Sequence, residues 1–430
     1  MDGIVVIGGG IAGLSAGYHI GKGCEVFEAG DEPGGLMRTR WIDGFGFDYT
    51  GHLLHLKDPY TRGLVLDLLK GNIVEHERKS AIYSKGVYTG YPFQANTYGL
   101  PGDVARQCVE GFMDAPGRRG GTAPPENFRD WILHNFGQGI AEHFMLPYNA
   151  KLWRYPLEEL AVSGIEPYVP VPGVDEIKRG ATAEGAKGLG YNARFFYPER
   201  GGIYSLVDEM ARGVKFLNLG QRAVEIDPAK KTALFSTGYT AWYDGLISTI
   251  PLPELIKIMK DVPTEIRDAA SALKYVSVYD VSIGVNRPDV IPYHWVYFPE
   301  PRFPFYRVGS ITNFSRNMSP EGATGLYVEV SHFPDETIPE DKLVGGVMDG
   351  LVECGILSPG DDVPVKDVAD IRYAYVTPDG HMERALPVIK KYLDSVGIIS
   401  AGRYAGWEYS SMEDAILEGR DAAELAMDRI

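Results

Sequence analysis

The chain has 430 residues, a hydrophobic content of 44% and a formal net charge of −16 at pH 7. Because this length exceeds what one ordinary hydrophobic core occupies, we expect two or three domains. The acidic balance argues against nucleic acid or an anionic membrane as the main partner of the surface, so an anionic ligand needs a local cluster of Arg, Tyr and backbone N–H groups.

The three cysteines Cys24, Cys108 and Cys354 are widely separated, and no pair has the spacing of metal ligands. Unpaired thiols in a reducing compartment are the simplest account. The amino-terminal apolar run is interrupted by glycines and has no basic segment before it, so it has the pattern of neither a signal peptide nor a membrane span. We therefore expect a soluble, cytoplasmic protein.

The first thirty residues have the pattern of a dinucleotide-binding unit. An apolar strand is followed by Gly8, Gly10 and Gly13 and then by a helical run, and Glu28 ends a second strand. Gly8 permits a tight turn, Gly10 lets the backbone approach a pyrophosphate, and Gly13 lets the helix lie close to the strand. Glu28 suits a ribose 2′-hydroxyl and would repel a 2′-phosphate. A simple tight turn also explains the glycines alone, but strand, helix and Glu28 in register favour a dinucleotide.

A second glycine pair, Gly34 and Gly35, follows Glu28 at a distance that lets a backbone loop pass beside the same cofactor. With it, the chain resembles the flavoprotein superfamily of amine oxidases, protoporphyrinogen oxidase and nucleotide-sugar mutases, in which this motif follows the first and the cofactor is FAD. A surface turn after a strand is the alternative for two adjacent glycines. The two motifs together favour FAD.

Two histidines, His52 and His55, lie three residues apart after the glycine loops. No carboxylate or cysteine at ligand spacing supports a metal pair, so we expect no metal. A core histidine and a histidine beside a flavin ring are the alternatives that stay open.

The middle of the chain predicts a change from strands to helices. Residues 80–94 have the pattern of a β-hairpin, and residues 101–153 are mostly helical by periodicity, with a helix near residues 140–144 that ends at Pro147. Residues 156–190, rich in Pro, Gly and Val, are predicted as loops, a linker and lid segments.

The second half predicts a glycine turn before a helix at Gly201 and Gly202, and alternating patterns that indicate an antiparallel sheet. A helix from Met412 onward closes the nucleotide-binding part. The predicted strands are 224–226, 232–235, 245–251, 275–285, 293–298, 325–330 and 397–401. We predict an α/β plus α+β fold: a discontinuous Rossmann-like FAD-binding domain (1–73, 196–268 and 388–430), a helical domain (97–190) and an antiparallel-sheet substrate domain (74–96 and 269–387).

An ordered set of motifs narrows the resemblance to the UDP-galactopyranose mutase family, whose eukaryotic-type sequences match better than the bacterial ones. These motifs are Tyr91-Pro92-Phe93-Gln94, Pro147-Tyr148-Asn149-x-Lys151-x-Trp153, Tyr197-Pro198-x-Arg200-Gly201-Gly202, Trp295-x-Tyr297-Phe298-Pro299-Glu300, Pro304-Phe305-Tyr306-Arg307 and Gly402-Arg403-x-x-x-Trp407-x-Tyr409.

This resemblance implies an isomerase of the intramolecular transferase class, which interconverts pyranose and furanose forms of a nucleotide sugar, with UDP as the expected nucleotide. The family uses reduced FAD, whose N5 forms an adduct with the sugar while the nucleotide diphosphate leaves. The implied partners are a nucleotide diphosphate sugar, an external reductant such as NAD(P)H or a reductase, and a second copy of the chain in a homo-oligomer, with neither nucleic acid nor a membrane.

The resemblance also assigns roles to individual residues. It places four residues at the reacting centre, with His52 beside the flavin ring and the others at the diphosphate: His52, Arg307, Tyr375 and Tyr409. It assigns substrate contacts to Tyr91, Phe93, Gln94, Tyr148, Asn149, Trp153, Asn192, Trp295 and Tyr297. It assigns FAD contacts to Gly8, Gly10, Ile11, Ala12, Gly13, Glu28, Gly34, Gly35, Leu36, Arg38, Gly51, His52, Val224, Gly402, Arg403, Tyr409 and Met412. A guanidinium and phenols also suit phosphate oxygens on chemical grounds.

The chain departs from the family pattern at two places. Phe314 stands where the family has a tyrosine, and residues 166–169 stand where it has a lid arginine, for which Arg179 or Arg316 could substitute. An FAD-dependent oxidase of the amine oxidase or protoporphyrinogen oxidase type is the alternative function, and a non-catalytic flavoprotein module is a third.

Overall fold

The structure, a computed structural model of the chain, describes residues 3–117, 120, 124–183 and 193–430. Its strands are β1 Ile4–Ile7, β2 Cys24–Phe27, β3 Thr39–Ile42, β4 Phe45–Asp48, β5 Val74–Glu77, β6 Ser80–Ser84, β7 Val87–Gly90, β8 Arg194–Tyr197, β9 Leu217–Asn218, β10 Ala223–Asp227, β11 Thr232–Phe235, β12 Thr240–Trp242, β13 Gly245–Ser248, β14 Tyr275–Val285, β15 Trp295–Tyr297, β16 Arg307–Ser310, β17 Thr324–His332, β18 Val365–Val376 and β19 Ile398–Ser400.

Its α-helices are α1 Ile11–Ile20, α2 Pro59–Leu69, α3 Gly102–Met113, α4 Phe128–Ile140, α5 Leu146–Trp153, α6 Val174–Thr182, α7 Tyr204–Gly213, α8 Leu252–Ile258, α9 Thr264–Ser271, α10 Glu340–Glu353, α11 Gly380–Ser395 and α12 Met412–Asp428. Within the described part of the chain, none of these helices combines the length and apolar character needed to cross a membrane.

The amino-terminal strand β1 lies at the centre of a parallel sheet with the order β19-β13-β1-β2-β9. Its four β-branched residues are all buried, which is typical of a parallel strand covered on both faces. Helices α1 and α12 pack closely on each other, since a Cβ at Gly419 would lie 2.3 Å from the carbonyl oxygen of Ala12. The Ser15 hydroxyl donates to the Ile416 carbonyl across the same contact.

A seven-stranded sheet with the order β18-β14-β17-β16-β15-β6-β7 forms the second layer. The predicted hairpin is confirmed as β6 and β7. The sheet is antiparallel, as predicted, except at one junction, where β15 pairs with β6 in parallel. These two strands are far apart in sequence, so no hairpin turn dictates their direction.

The helical segment differs from its prediction at two places. The chain does not end its helix at Pro147; a π-helical turn over Ala141–Met145 leads directly into α5, which continues to Trp153. Proline is tolerated there because the preceding turn is π-helical: the Leu146 N–H bonds the Ala141 carbonyl five residues back, so the regular α-helical series of hydrogen bonds is already interrupted. The stretch 156–190, predicted as loops, contains α6, whose Gly180 packs against the Ala95 carbonyl.

The strand predicted for 245–251 is shorter than expected. It ends at Ser248, and Pro251 instead caps the start of α8. The predicted fold class is confirmed: a Rossmann-like parallel sheet is combined with helices and a separate, largely antiparallel sheet. The first sheet draws its strands from the segments predicted for FAD binding, whereas the division into domains stays a prediction.

Candidate functional site

The glycine loop between β1 and α1 forms an open cradle. Gly8 has a φ of 102°, which favours glycine, and a Cβ at Gly13 would lie 1.9 Å from the Gly8 carbonyl oxygen. A Cβ at Gly10 would have nothing within 4 Å. Helix α1 begins at Ile11 without a side-chain cap among the described residues. Open space beside uncapped amides at a helix N-terminus fits the pyrophosphate of a dinucleotide.

The carboxylate of Glu28 is held beside this loop at the end of β2. One of its oxygens accepts the Gly9 N–H at 2.6 Å and the other accepts the Gly30 N–H at 2.8 Å. The side chain therefore lies where a ribose next to the pyrophosphate would be.

The second glycine pair lies directly against the first. The Gly34 N–H donates to the Gly9 carbonyl at 2.8 Å, and Gly10 and Gly34 form an isolated parallel bridge. Gly34 and Gly35 both have positive φ, and Leu36 follows them in the turn. Arg38 donates from Nε to the Gly35 carbonyl. Both loops thus border one cradle.

The carboxyl-terminal segment approaches the cradle from the other side. A Cβ at Gly402 would lie 2.8 Å from the Ala12 Cβ, and the Gly402 N–H donates to Glu418 at 2.6 Å. Met412 begins α12, which packs on α1. Val224 lies at a β-bulge of β10 with its side chain 42% exposed.

The loop after β4 places His52 close enough to Arg307 and Arg403 to be affected by their charges. A Cβ at Gly51 would lie 2.3 Å from the hydroxyl oxygen of Tyr327, so the loop packs tightly there. Burial, with a smaller contribution from the positive charges of Arg403 and Arg307, lowers the pKa of His52 to about 4. The imidazole is therefore neutral at pH 7.

Arg307 is paired with a buried carboxylate that the sequence did not single out. Its Nε and Nη2 donate to the two oxygens of Glu329, each at 2.8 Å, and Arg307 and Glu329 are directly opposite in the β16–β17 register. Burial alone lowers the pKa of Arg307, but Glu329 and nearby phenols raise it well above its usual value. The Tyr306 hydroxyl donates to the same carboxylate and lies 3.3 Å from the Tyr375 hydroxyl.

Arg403 also lies near Tyr375. Its guanidinium carbon is 4.5 Å from the Tyr409 ring centroid and 5.7 Å from that of Tyr375, and the two rings are stacked 6.3 Å apart. Its donors also bond the carbonyls of Ser410 and Ala374. We call this set the arginine–tyrosine cluster: Arg307, Arg403, Tyr306, Tyr375 and Tyr409.

Burial raises the pKa of Tyr375 and that of Tyr306. Both phenols therefore stay protonated at neutral pH. The cluster can bind an anion through guanidinium and phenol groups without offering it a strong base.

Three predicted substrate residues meet beside this cluster. The rings of Tyr91 and Tyr297 are stacked 5.1 Å apart, and Tyr148 meets Tyr297 edge-on at 5.5 Å. Tyr148 also lies 6.3 Å from Tyr306. The structure thus brings these residues, from three separate stretches of chain, next to the arginine–tyrosine cluster.

Two other predicted substrate residues are packed inside the protein. Phe93 is fully buried and stacks on Phe144 at 4.9 Å. Trp295 is 2% exposed and packs with Phe195 and Phe314. Neither side chain presents a surface to a ligand in this arrangement.

Three more predicted substrate residues, Gln94, Asn149 and Trp153, are also buried. Gln94 donates to the Pro170 carbonyl, and Asn149 donates to the Met145 carbonyl within its own helix. Trp153 packs edge-on against Tyr375 at 6.0 Å, so it borders the arginine–tyrosine cluster. Asn192 lies outside the described residues.

The segment in place of a lid arginine contributes a tyrosine. The Tyr168 hydroxyl donates to the Tyr409 carbonyl at 2.6 Å, and the two rings are 4.5 Å apart. Arg179 donates to the Asp175 carbonyl on its own helix, and Arg316 forms an exposed ion pair with Asp289. The structure shows neither arginine at the arginine–tyrosine cluster.

Phe314, at the other departure from the family pattern, is buried among Phe195, Tyr197 and Trp295. Its ring contributes to the core. In the parts of the chain that the structure describes, no three His, Cys, Asp or Glu side chains are arranged as metal ligands.

Sequence reasoning missed Glu329. One signal was available: strand β17 is buried along its whole length, and a lone glutamate in such a strand needs a partner. The identity of that partner depends on the register of β16 and β17, which the sequence does not give.

The site has the parts of a flavoenzyme: a dinucleotide cradle with two glycine loops, and a buried cationic and phenolic centre beside it. The pattern of the flavin containing amine oxidoreductase family matches residues 126–427, and that of an NAD(P)-binding Rossmann-like domain matches residues 6–69. The chain belongs to the flavin containing amine oxidoreductase family, and these two matches indicate FAD as its cofactor.

Individual relatives differ in their names. A crystal structure of reduced UDP-galactopyranose mutase is 29% identical, with a TM-score of 0.94 over 100% of this chain and 94% of that chain. Putrescine oxidase bound to putrescine shares the fold, at 17% identity and a TM-score of 0.68 over 99% of both chains. Coproporphyrinogen III oxidase of Mycobacterium tuberculosis is 23% identical over 96% of this chain and 97% of its own length, and that of Mycobacterium leprae is 24% identical over 67% and 68%.

Proposed function

We propose that this flavoenzyme is a nucleotide-sugar mutase that interconverts the pyranose and furanose forms of a UDP-sugar. The observation that carries the proposal is the arginine–tyrosine cluster, in which the Tyr375 hydroxyl lies 3.3 Å from that of Tyr306 and the Tyr375 ring centroid lies 5.7 Å from the guanidinium carbon of Arg403. Two guanidinium groups and several protonated phenols suit a diphosphate that must leave and return. The similarity to UDP-galactopyranose mutase over the whole chain supports the same activity.

In this reaction the residues of the chain bind the substrate and stabilise the charge of the leaving diphosphate. When bound, reduced FAD supplies the nucleophile for the anomeric carbon. Arg307, Arg403 and Tyr409 bind the diphosphate and stabilise its charge as the glycosidic bond breaks. The neutral His52 borders the flavin without competing for protons. Because the reaction exchanges bonds without net oxidation, the main task of the site is to position the reacting groups, and a strong acid or base is less important.

The aromatic group beside the cluster suits the nucleoside part of the substrate. Tyr91, Tyr148 and Tyr297 offer ring faces and hydroxyl groups, and stacking on a uracil would orient the diphosphate toward Arg307. Asn192 stays a candidate for the sugar side.

The decisive experiment compares reduced and oxidised holoenzyme. The protein is purified with FAD, reduced with dithionite or NAD(P)H under nitrogen, and incubated with UDP-galactofuranose. We expect UDP-galactopyranose to form only with the reduced protein, as measured by liquid chromatography. If the reduced holoenzyme leaves UDP-galactofuranose and a panel of related nucleotide sugars unchanged, the proposal is wrong.

A porphyrinogen oxidase is the second candidate, because the mycobacterial relatives that match nearly the whole chain carry the name coproporphyrinogen III oxidase. This activity consumes oxygen, whereas a mutase does not. Oxygen uptake on addition of coproporphyrinogen III, without any effect of UDP-galactose on the flavin spectrum, would select it. The charged cluster argues for the mutase: Arg307 is already paired with Glu329, but the buried Nε of Arg403 has no hydrogen-bond partner among the described residues, and a buried charge is costly unless an anion binds it.

A further inference from the structure

Lys151 makes an unusual contact that the proposed reaction does not use. From the last turn of α5, its Nζ donates to three backbone carbonyls, those of Phe298 at 2.8 Å, Glu300 at 3.1 Å and Phe305 at 2.5 Å. All three belong to the connection between β15 and β16. Burial lowers the pKa of Lys151 to about 7, so the ammonium form, whose three hydrogens can satisfy three carbonyls at once, predominates below pH 7.

The two elements that Lys151 joins carry opposite sides of the aromatic group. Helix α5 carries Tyr148, and the connection begins just after Tyr297 and ends at Tyr306. The Tyr148 ring lies 5.5 Å from Tyr297 and 6.3 Å from Tyr306. The next residue, Arg307, is the guanidinium of the candidate anion site, and its Cα is paired with that of Tyr297.

No other amino acid supplies this contact equally well. The Glu300 carbonyl also accepts the Phe303 N–H, but the carbonyls of Phe298 and Phe305 belong to residues buried in the core, where an unpaired carbonyl would be costly. Methionine has a similar length but donates nothing. Arginine keeps the charge and the donors, in a planar arrangement.

We propose that Lys151 is a positioning residue: its buried ammonium fixes α5 to the β15–β16 connection and thereby sets the spacing of Tyr148, Tyr297 and Arg307. The contact orders both walls of the candidate substrate site before a ligand arrives. The choice of UDP-galactose as a probe rests on the proposed function, whereas the ligand-free measurement below does not.

The test uses FAD-loaded protein with Lys151→Met, Lys151→Arg and, as a matched control, Lys391→Met on the exposed face of α11. Amide hydrogen exchange without ligand measures directly how firmly Lys151 holds the β15–β16 connection. We expect exchange in residues 298–306 to be about fivefold faster in Lys151→Met, close to wild type in Lys151→Arg, and unchanged in Lys391→Met.

The second readout is UDP-galactose affinity by titration calorimetry. We expect about a tenfold loss in Lys151→Met and partial recovery in Lys151→Arg. The proposal is wrong if residues 298–306 exchange at the wild-type rate in Lys151→Met, or if Lys151→Met and Lys151→Arg increase that rate equally. In either case the ammonium would have no special role. If wild type itself does not bind UDP-galactose, the mutase proposal fails, and the exchange experiment still decides the role of Lys151.

Discussion

The pairing of Arg307 with Glu329 gives a quantitative prediction for nucleotide binding. Replacement of Arg307 by Met removes the guanidinium from the anion site and also leaves the buried carboxylate of Glu329 without its partner. Losing the guanidinium that pairs with a buried phosphate of the ligand costs about 3 kcal/mol of binding free energy. This corresponds to roughly a 150-fold loss of UDP-galactose affinity.

Part of that loss comes from repulsion, which the double variant isolates. A phosphate bound across the guanidinium would lie about 7 Å from Glu329, and two like charges at that distance repel by about 2 kcal/mol at an effective dielectric constant near 20. Arg307→Met combined with Glu329→Gln should therefore bind UDP-galactose roughly 30-fold more tightly than Arg307→Met alone.

The assay is titration calorimetry on oxidised holoenzyme, in which binding is separate from turnover. Arg316→Met is the matched control, because Arg316 forms an ion pair with Asp289 on the exposed surface. Its affinity should equal that of wild type. Equal affinities of the single and double variants, or an unaffected Arg307→Met protein, would refute the reasoning.

Three further predictions concern the glycine loop, the histidine His52 and the phenol of Tyr375. Gly10→Val should fold but purify without flavin absorbance, because the side chain fills the open cradle, whereas the control Gly23→Val should retain FAD; flavin in both would contradict the assignment. The pKa of His52 is about 4 when folded against 6.5 when unfolded, so its contribution to stability is present above pH 6.5 and is lost as the pH falls toward 4. Between pH 6.5 and pH 4, the melting temperature of the His52→Gln apoprotein should therefore fall less than that of the wild-type apoprotein. Equal falls in the two proteins would contradict the lowered pKa of His52. Tyr375→Phe removes the hydroxyl near Tyr306 and should weaken UDP-galactose binding about threefold to tenfold, whereas Tyr239→Phe, an exposed control, should not.

The parts of the molecule that local sequence determines were predictable. The glycine loop was predicted because each glycine meets a local steric requirement, and Glu28 follows at a fixed distance. The hairpin of β6 and β7 was predicted because alternation and a Lys-Gly turn lie within a few residues. In each case the interacting residues are neighbours in sequence.

The parts that depend on distant pairing were not predictable. Glu329 meets Arg307 only through the register of β16 and β17, and the parallel pairing of β15 with β6 joins strands more than two hundred residues apart. Helix α6 was missed because its sequence is largely polar and only Ile177 and Gly180 are buried. Gly180 reveals its role only when the Ala95 carbonyl is seen against it.

The order of strands in the parallel sheet has a consequence for synthesis of the protein. β1 emerges from the ribosome first, but its neighbour β13 ends at Ser248, and the edge strand β19 and the covering helix α12 follow only after residue 397. Until residues 245–248 have been made, the edge of β1 that pairs with β13 therefore lacks that partner. Chaperones that bind extended apolar segments would find a target at this edge during that interval.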